Sequence, residues 1–339
     1  MLRMLADSPF GSLLRRLAWR RPSPPPAEVP SPPAAPPRKL DLALWVTGGL
    51  AIASLVAFAA YYYYDRYYHP DEKILDREAQ HIEAMVQKDP QNAGLRVSIA
   101  AFYMDKGLTD LAIQQCQEAL KIDPKQQGAL LVLGRAYTKK GEFDQAVASY
   151  QTLLDLNKDN QFAKMDSRLE GVYYELAKLY ERQGKQDQSI ASLKQALEID
   201  STDADARYLL ATLYQKRNDH QAAIHELQEA LRFDPFFADA YQALAASYSA
   251  QGKALEATYA EAMVSLSNNR FSEAASKLES VTQQAPGLIQ AYMGLGIAYE
   301  KLGKRDQAIA ALEKYLQAYP NDIVATQAMA RLNKEATKR

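Results

Sequence analysis

The feature that most constrains this chain is a 34-residue period, because a unit that short cannot bury a core of its own and must stack on copies of itself. Aligned on Gly-x-x-x-x-Ala, the units are 93–126, 127–160, 170–203, 204–237, 255–288 and 289–322. Each carries a small residue in its first half: Ala100, Gly134, Ala177, Ala211, Ala262 and Gly296. An aromatic follows three positions later at Tyr103, Tyr137, Tyr180, Tyr214 and Tyr299, and a small residue opens the second half at Ala112, Ala146, Ser189, Ala223, Ala274 and Ala308.

The spacing predicts two helices, A and B, in every unit. Small residues let the pair approach closely, while the large apolar residue before the small one (Ile99, Leu133, Leu176, Leu210, Leu295) and the tyrosine fill the gap to the neighbouring pair. Pro124, Pro235, Pro286 and Pro320 fall where helix B must stop.

Those small, aromatic and proline positions resemble the tetratricopeptide-repeat (TPR) family over residues 72–339, with six units in register. The resemblance implies an all-α fold: a right-handed superhelical solenoid of antiparallel helix pairs, whose inner surface, lined mainly by A helices, binds peptides or partner domains. Positions 2, 5, 9, 12 and 13 of each family unit face that groove. Carried over, they select Arg135 and Lys139, then Tyr174, Lys178 and Arg182, then Tyr208 and Lys216, a basic and aromatic strip suited to an acidic or carboxylate-bearing peptide. Glu181 and Asp205 dilute it, so a merely solvated face is the competing reading. The subgroup that clamps a chaperone's C-terminal carboxylate is set aside, since Val97 and Ala101 stand where its Lys and Asn belong.

Three departures from the period stand out. Residues 161–169 (QFAKMDSRL) are an insertion expected to break the stack. Residues 238–254 begin a unit that is only half present: Ala245 and Ala262 are 17 apart, and 254–267 fits either as a B helix after 238–251 or as an A helix before 271–284. Altered twist or a flexible joint is expected between 238 and 288. At the ends, a connecting helix in 67–92 and an amphipathic cap in 323–339 complete the stack.

Ahead of the repeats lies a different kind of sequence. Leu42 to Tyr64 is 23 residues without a charge, a helix of about 34 Å and long enough for a bilayer core, so residues 40–66 are expected to be a transmembrane helix. Trp45 and the tyrosines from Tyr61 onward suit the two interfaces. Residues 1–39 carry seven Lys/Arg against two Asp/Glu, whereas residues 67–339 total −5. The positive-inside rule therefore places the N-terminus in the cytoplasm and the repeats outside the cytoplasmic membrane. A cleaved signal peptide is the competing reading, since Ala57-Phe58-Ala59 imitates a processing site. The long segment before the apolar run argues against it.

Gly49, Ala53 and Ala57 share one face of that helix, where a second membrane helix can approach. The nine prolines of 22–37 favour an extended spacer, and Phe10 to Arg21 alternates apolar and basic residues as a surface-lying helix does.

Chemistry is sparse. The acidic repeat region lacks the clustered cations that nucleic acid requires. His220 and His225 are five apart, off a shared helix face, and no Cys completes a metal set. Cys116, the lone cysteine, occupies an apolar helix-B position. The stretch 296–305 only imitates a phosphate loop, with Arg305 where Ser or Thr should follow Lys. No enzyme, metal or cofactor is expected. The expected partners are other proteins and the lipid bilayer. The role is that of a membrane-tethered scaffold or assembly adaptor of the bacterial-envelope type; the alternative is a structural subunit of a membrane complex.

Overall fold

The structure, a computed structural model, describes the backbone of residues 39–68 and 72–336, with side chains over 46–63 and 80–334. The proline-rich tail and the stretch Phe10 to Arg21 lie outside the described residues. The chain divides into two units, residues 1–74 and 75–339.

In the first unit, helix α1 (Lys39–Tyr68) runs for 30 residues. Between residues 46 and 63 its apolar side chains point in every direction and are exposed, among them Val46, Leu50, Ile52, Leu55 and Phe58. A helix that is apolar all round belongs in a core or in lipid. Its window Val46–Tyr63, with mean hydropathy 1.5 and no part buried, is long and apolar enough to cross a membrane.

The second unit is a stack of antiparallel helices: α2 (Glu72–Lys88), α3 (Ala93–Asp105), α4 (Thr109–Ile122), α5 (Gln127–Lys140), α6 (Phe143–Asn157), α7 (Ser167–Arg182), α8 (Gln186–Ile199), α9 (Ala204–Lys216), α10 (His220–Phe233), α11 (Ala238–Ala250), α12 (Ala254–Ser267), α13 (Phe271–Gln284), α14 (Gln290–Lys301), α15 (Arg305–Ala318) and α16 (Ile323–Ala336). Local chemistry explains the boundaries. Each helix ending before a proline stops two residues short of it, and the intervening residue leaves the helical region, being extended at Asp123 (φ −130°) and Asp234 (φ −121°). Asn92, Asp166, Asp203 and Asp322 cap helix starts by accepting backbone N–H bonds of 2.8–3.1 Å.

The small residues perform their expected task. Ala100, Ala177, Ala211, Ala262 and the helix-B residues Ala112, Ala146, Ala223, Ala274 and Ala308 have no exposed surface. The Ser189 hydroxyl, in the same position, donates to the Ala177 carbonyl of the facing helix at 2.8 Å.

The tyrosines do more than fill gaps. Four of them reach back to a polar residue on the preceding helix: Tyr103 and Tyr299 donate to Glu83 (2.7 Å) and Glu279 (2.6 Å), while Tyr137 and Tyr248 accept from Gln117 and Gln228. In these four the partner lies twenty residues upstream, so α2, carrying Glu83, stands in the place of a B helix before α3. Across the insertion the same bond persists, Gln151 donating to Tyr180 at 2.6 Å. The apolar core continues across the insertion, but α6 and α7 lie less closely against one another than the other consecutive helices from α3 onward do, so the regular stacking is disturbed there as expected. The inserted residues form a 3-10 turn (Ala163–Met165), the cap Asp166 and the extra first turn of α7.

The half unit is resolved more fully than either sequence reading allowed. Every A-to-B turn needs one residue at positive φ, supplied by Gly107, Gly141, Gly184, Asn218, Gly252, Asn269 and Gly303. Gly252 and Asn269 flank α12, so this helix is entered as a B helix and left as an A helix. It is packed on both sides: the Tyr259 ring meets Tyr241 of α11 at 6.2 Å, and Glu261 pairs with Lys277 of α13 at 3.2 Å. Ala257, Ala260, Ala262 and Met263 are buried in one cluster that runs from Ala211 to Leu332. Apolar packing is continuous from 238 to 288.

One consequence is topological. Helices alternate between two layers along the chain, and up to α11 the A helices share a layer, with Gln215 of α9 donating to the Ala243 carbonyl of α11 at 2.7 Å. The single extra helix reverses this order. Beyond it α12, α14 and α16 are same-layer neighbours: a Cβ on Gly294 would sit 2.6 Å from Met263 Sδ, and Arg331 grips Glu300 at 2.6 and 2.9 Å.

Candidate functional site

The strip selected in the sequence is only partly brought together. Arg135 and Lys139, on the exposed side of α5, face Tyr174 of α7 across a cleft of about 480 Å³. The insertion makes this space: Ser167 and Arg168 from the extra turn of α7 form part of its wall. Apolar Leu131 and Val172 line it, and at Gly171 nothing lies within 4 Å of where a side chain would begin.

Arg135 and Lys139 have no carboxylate within ion-pair distance among the described residues, whereas Arg168 is held by Asp166 at 2.6 Å. The other cations of the strip are engaged. Lys178 bonds Glu175 at 3.0 Å and lies 5.3 Å from the Tyr174 ring centre, Arg182 stacks 5.5 Å from the Phe143 ring, and Lys216 pairs with Glu181. Tyr208 packs on Phe237 at 5.2 Å. Tyr174, pushed up to about 12 by burial and then by Asp205 and Asp203, is a neutral phenol at any physiological pH.

Sequence reasoning missed Tyr150. It is 1% exposed, yet it lines the cleft, and its buried hydroxyl makes no hydrogen bond among the described residues. The neighbouring Thr138 hydroxyl donates to the Gly134 carbonyl at 2.8 Å. Burial pushes the phenol up to about 12, with Thr138 and Arg135 opposing it, so the group is neutral. A buried polar group without a partner costs about 1–3 kcal/mol. The signal was present in the sequence: Tyr150 stands where the other units have Leu193, Leu227, Leu278 and Leu312, or Cys116, and it is matched to Gly134 rather than Ala.

Cys116 is fully buried, and desolvation pushes its thiol up to about 12, which makes it a packing residue rather than a nucleophile. Among the described residues, no group of three His, Cys, Asp or Glu is placed to hold a metal ion.

The tetratricopeptide repeat model matches residues 180–248 and 265–332, leaving out most of α12, and the cilia and flagella-associated protein 70 middle TPR-like domain matches residues 75–200. Among solved structures the chain is similar to MamA (28% identity, covering 56% of this chain and 90% of that one, TM-score 0.34). It is also similar to YrrB, described as a TPR protein with an unusual peptide-binding site (16% identity, 74% and 99% covered, TM-score 0.36). A third is BtubC from P. vanneervenii (19% identity, 58% and 88% covered, TM-score 0.49). No curated protein matches the chain. The second unit is thus a TPR solenoid, a class whose members generally act as protein-interaction scaffolds rather than enzymes. This chain carries those repeats behind an N-terminal helix of membrane-crossing length and composition.

Proposed function

We propose that the chain is a membrane-tethered adaptor that captures acidic segments of partner proteins in the cleft between α5 and α7. The carrying observation is that Arg135 and Lys139, which have no ion-pair partner among the described residues, line one open, partly apolar space with Tyr150 buried in its wall. The two cations supply charge-assisted hydrogen bonds to a carboxylate, and Leu131, Val172 and Tyr174 supply an apolar contact beside it. Helix α1 is the tether. The basic excess of residues 1–39 supports a cytoplasmic N-terminus and repeats on the outer side of a bacterial cytoplasmic membrane. Changing Arg135, Lys139, Lys178 and Arg182 together to Glu is expected to abolish partner capture in a pull-down from solubilised membranes. Undiminished capture moves the site elsewhere.

A second reading rests on α1: Gly49 meets nothing within 4 Å, and Ala53 and Ala57 lie exposed on the same face, free for a helix of a larger membrane complex. Under that reading, Leu at these three positions breaks co-purification while the groove variant leaves it intact.

A further inference from the structure

A second cavity lies where the layers exchange at α12. There the end of α10, a B helix, and the start of α14, an A helix, meet the same space of about 640 Å³, closed by α11, α12, α15 and α16. Its walls are aromatic: Tyr241, Tyr248, Tyr259, Tyr315 and Tyr319 all line it, with Leu244 and Met293 between them. The first four are buried, and Tyr319 at the mouth is 41% exposed.

Charge at this cavity has the sign opposite to that of the groove. Glu229 is neutralised by Arg232 at 2.9 Å. Asp322, in the wall, accepts only the Tyr315 hydroxyl (2.9 Å) and the Ala325 N–H (2.8 Å); Asp234, which is not itself in the lining but precedes the lining residue Pro235, accepts only the Phe236 N–H (3.2 Å). Neither has a cationic partner among the described residues. Asp234 lies near enough to add to the burial that holds the Tyr241 phenol well above its ordinary range. Aromatic faces carry a negative quadrupole, and with uncompensated carboxylates they favour a cation whose aliphatic stem can lie on apolar walls.

We infer that this cavity is a second docking site, which takes an arginine or lysine side chain, flanked by apolar residues, from a partner polypeptide. The chain then presents two grooves of opposite preference, acidic segments at α5–α7 and basic ones behind α12, and can hold two different segments at once.

The test uses the full chain in detergent micelles and fluorescein-labelled peptides in which Leu residues flank a central Arg, a central Glu or a run of Pro, read by fluorescence anisotropy. The Arg peptide is expected to bind at least tenfold more tightly than the others. It should lose at least tenfold in the double variant Asp234→Asn/Asp322→Asn, which keeps a capping side chain at 322, and in Tyr319→Ala at the mouth. The pair Arg135→Glu/Lys139→Glu should leave it unchanged. Equal binding of the three peptides, a preference for Pro, or full Arg-peptide affinity in the double variant overturns the inference. None of those results bears on capture of acidic segments at the other groove.

Discussion

Gly134 in α5 and Tyr150 in α6 are fitted to one another: a Cβ on Gly134 would lie 2.2 Å from Cε1 of the buried Tyr150 ring. Every other unit solves the same contact with a smaller partner, and here the larger ring forms part of the cleft wall with its hydroxyl buried. Gly134→Ala should therefore destabilise the fold by about 1–3 kcal/mol through overpacking, in spite of a helix-propensity gain of about 1 kcal/mol. Adding Tyr150→Leu should recover most of the loss, as measured by urea denaturation. A double variant as unstable as the single one would show that the contact is not the cause.

The turn glycines and the groove glycine should respond in opposite directions to the same change. Gly252 sits at φ 73°, so Gly252→Ala is expected to cost about 1–2 kcal/mol. Gly171 is helical with open space beyond it, so Gly171→Ala should gain up to about 1 kcal/mol. Thermal melts that shift the same way for both would contradict the backbone assignment.

Glu170, in the first turn of α7, has its carboxyl pushed up to about 7 by burial, with Asp203 and Asp200 adding to the effect. Between its ordinary value near 4.5 and 7 the folded chain binds more protons at this site than the unfolded chain does, so stability falls as pH rises through that window. Glu170→Gln should abolish this component and melt higher than the parent at pH 8, by about 2 °C for a domain of this size. It should make little difference at pH 4. A melting difference independent of pH would rule out the carboxyl as its source.

Much of this architecture was legible in the sequence because small residues, tyrosines and prolines are placed by close helix contacts that leave few alternatives. Ala100 or Ala177 can only be small, and Pro124 can only end a helix. The double role of α12 was half visible, since Ala257 and Ala262 fit both registers. What the spacing did not show is that one helix can satisfy both at once and exchange the layers beyond it. Side-chain partnerships were also hidden: nothing in the pattern says that Lys178, Arg182 and Lys216 are engaged while Arg135 and Lys139 are not, because the partners Glu175, Phe143 and Glu181 are set by helix packing. Tyr150 was not singled out because a tyrosine at an apolar helix position reads as core, and the structure buries it there, oxygen included.

The central claim, capture of a partner in the α5–α7 cleft, is tested most directly by placing a photo-crosslinking amino acid at position 171, where the open side of α7 leaves room, in the full chain in its native membrane. The account predicts a discrete crosslinked partner from position 171 and none from position 121 on the exposed side of α4, with the product lost when Arg135 and Lys139 are changed to Glu. A partner that crosslinks equally well from position 121, or a product from position 171 that survives those charge reversals, would contradict it.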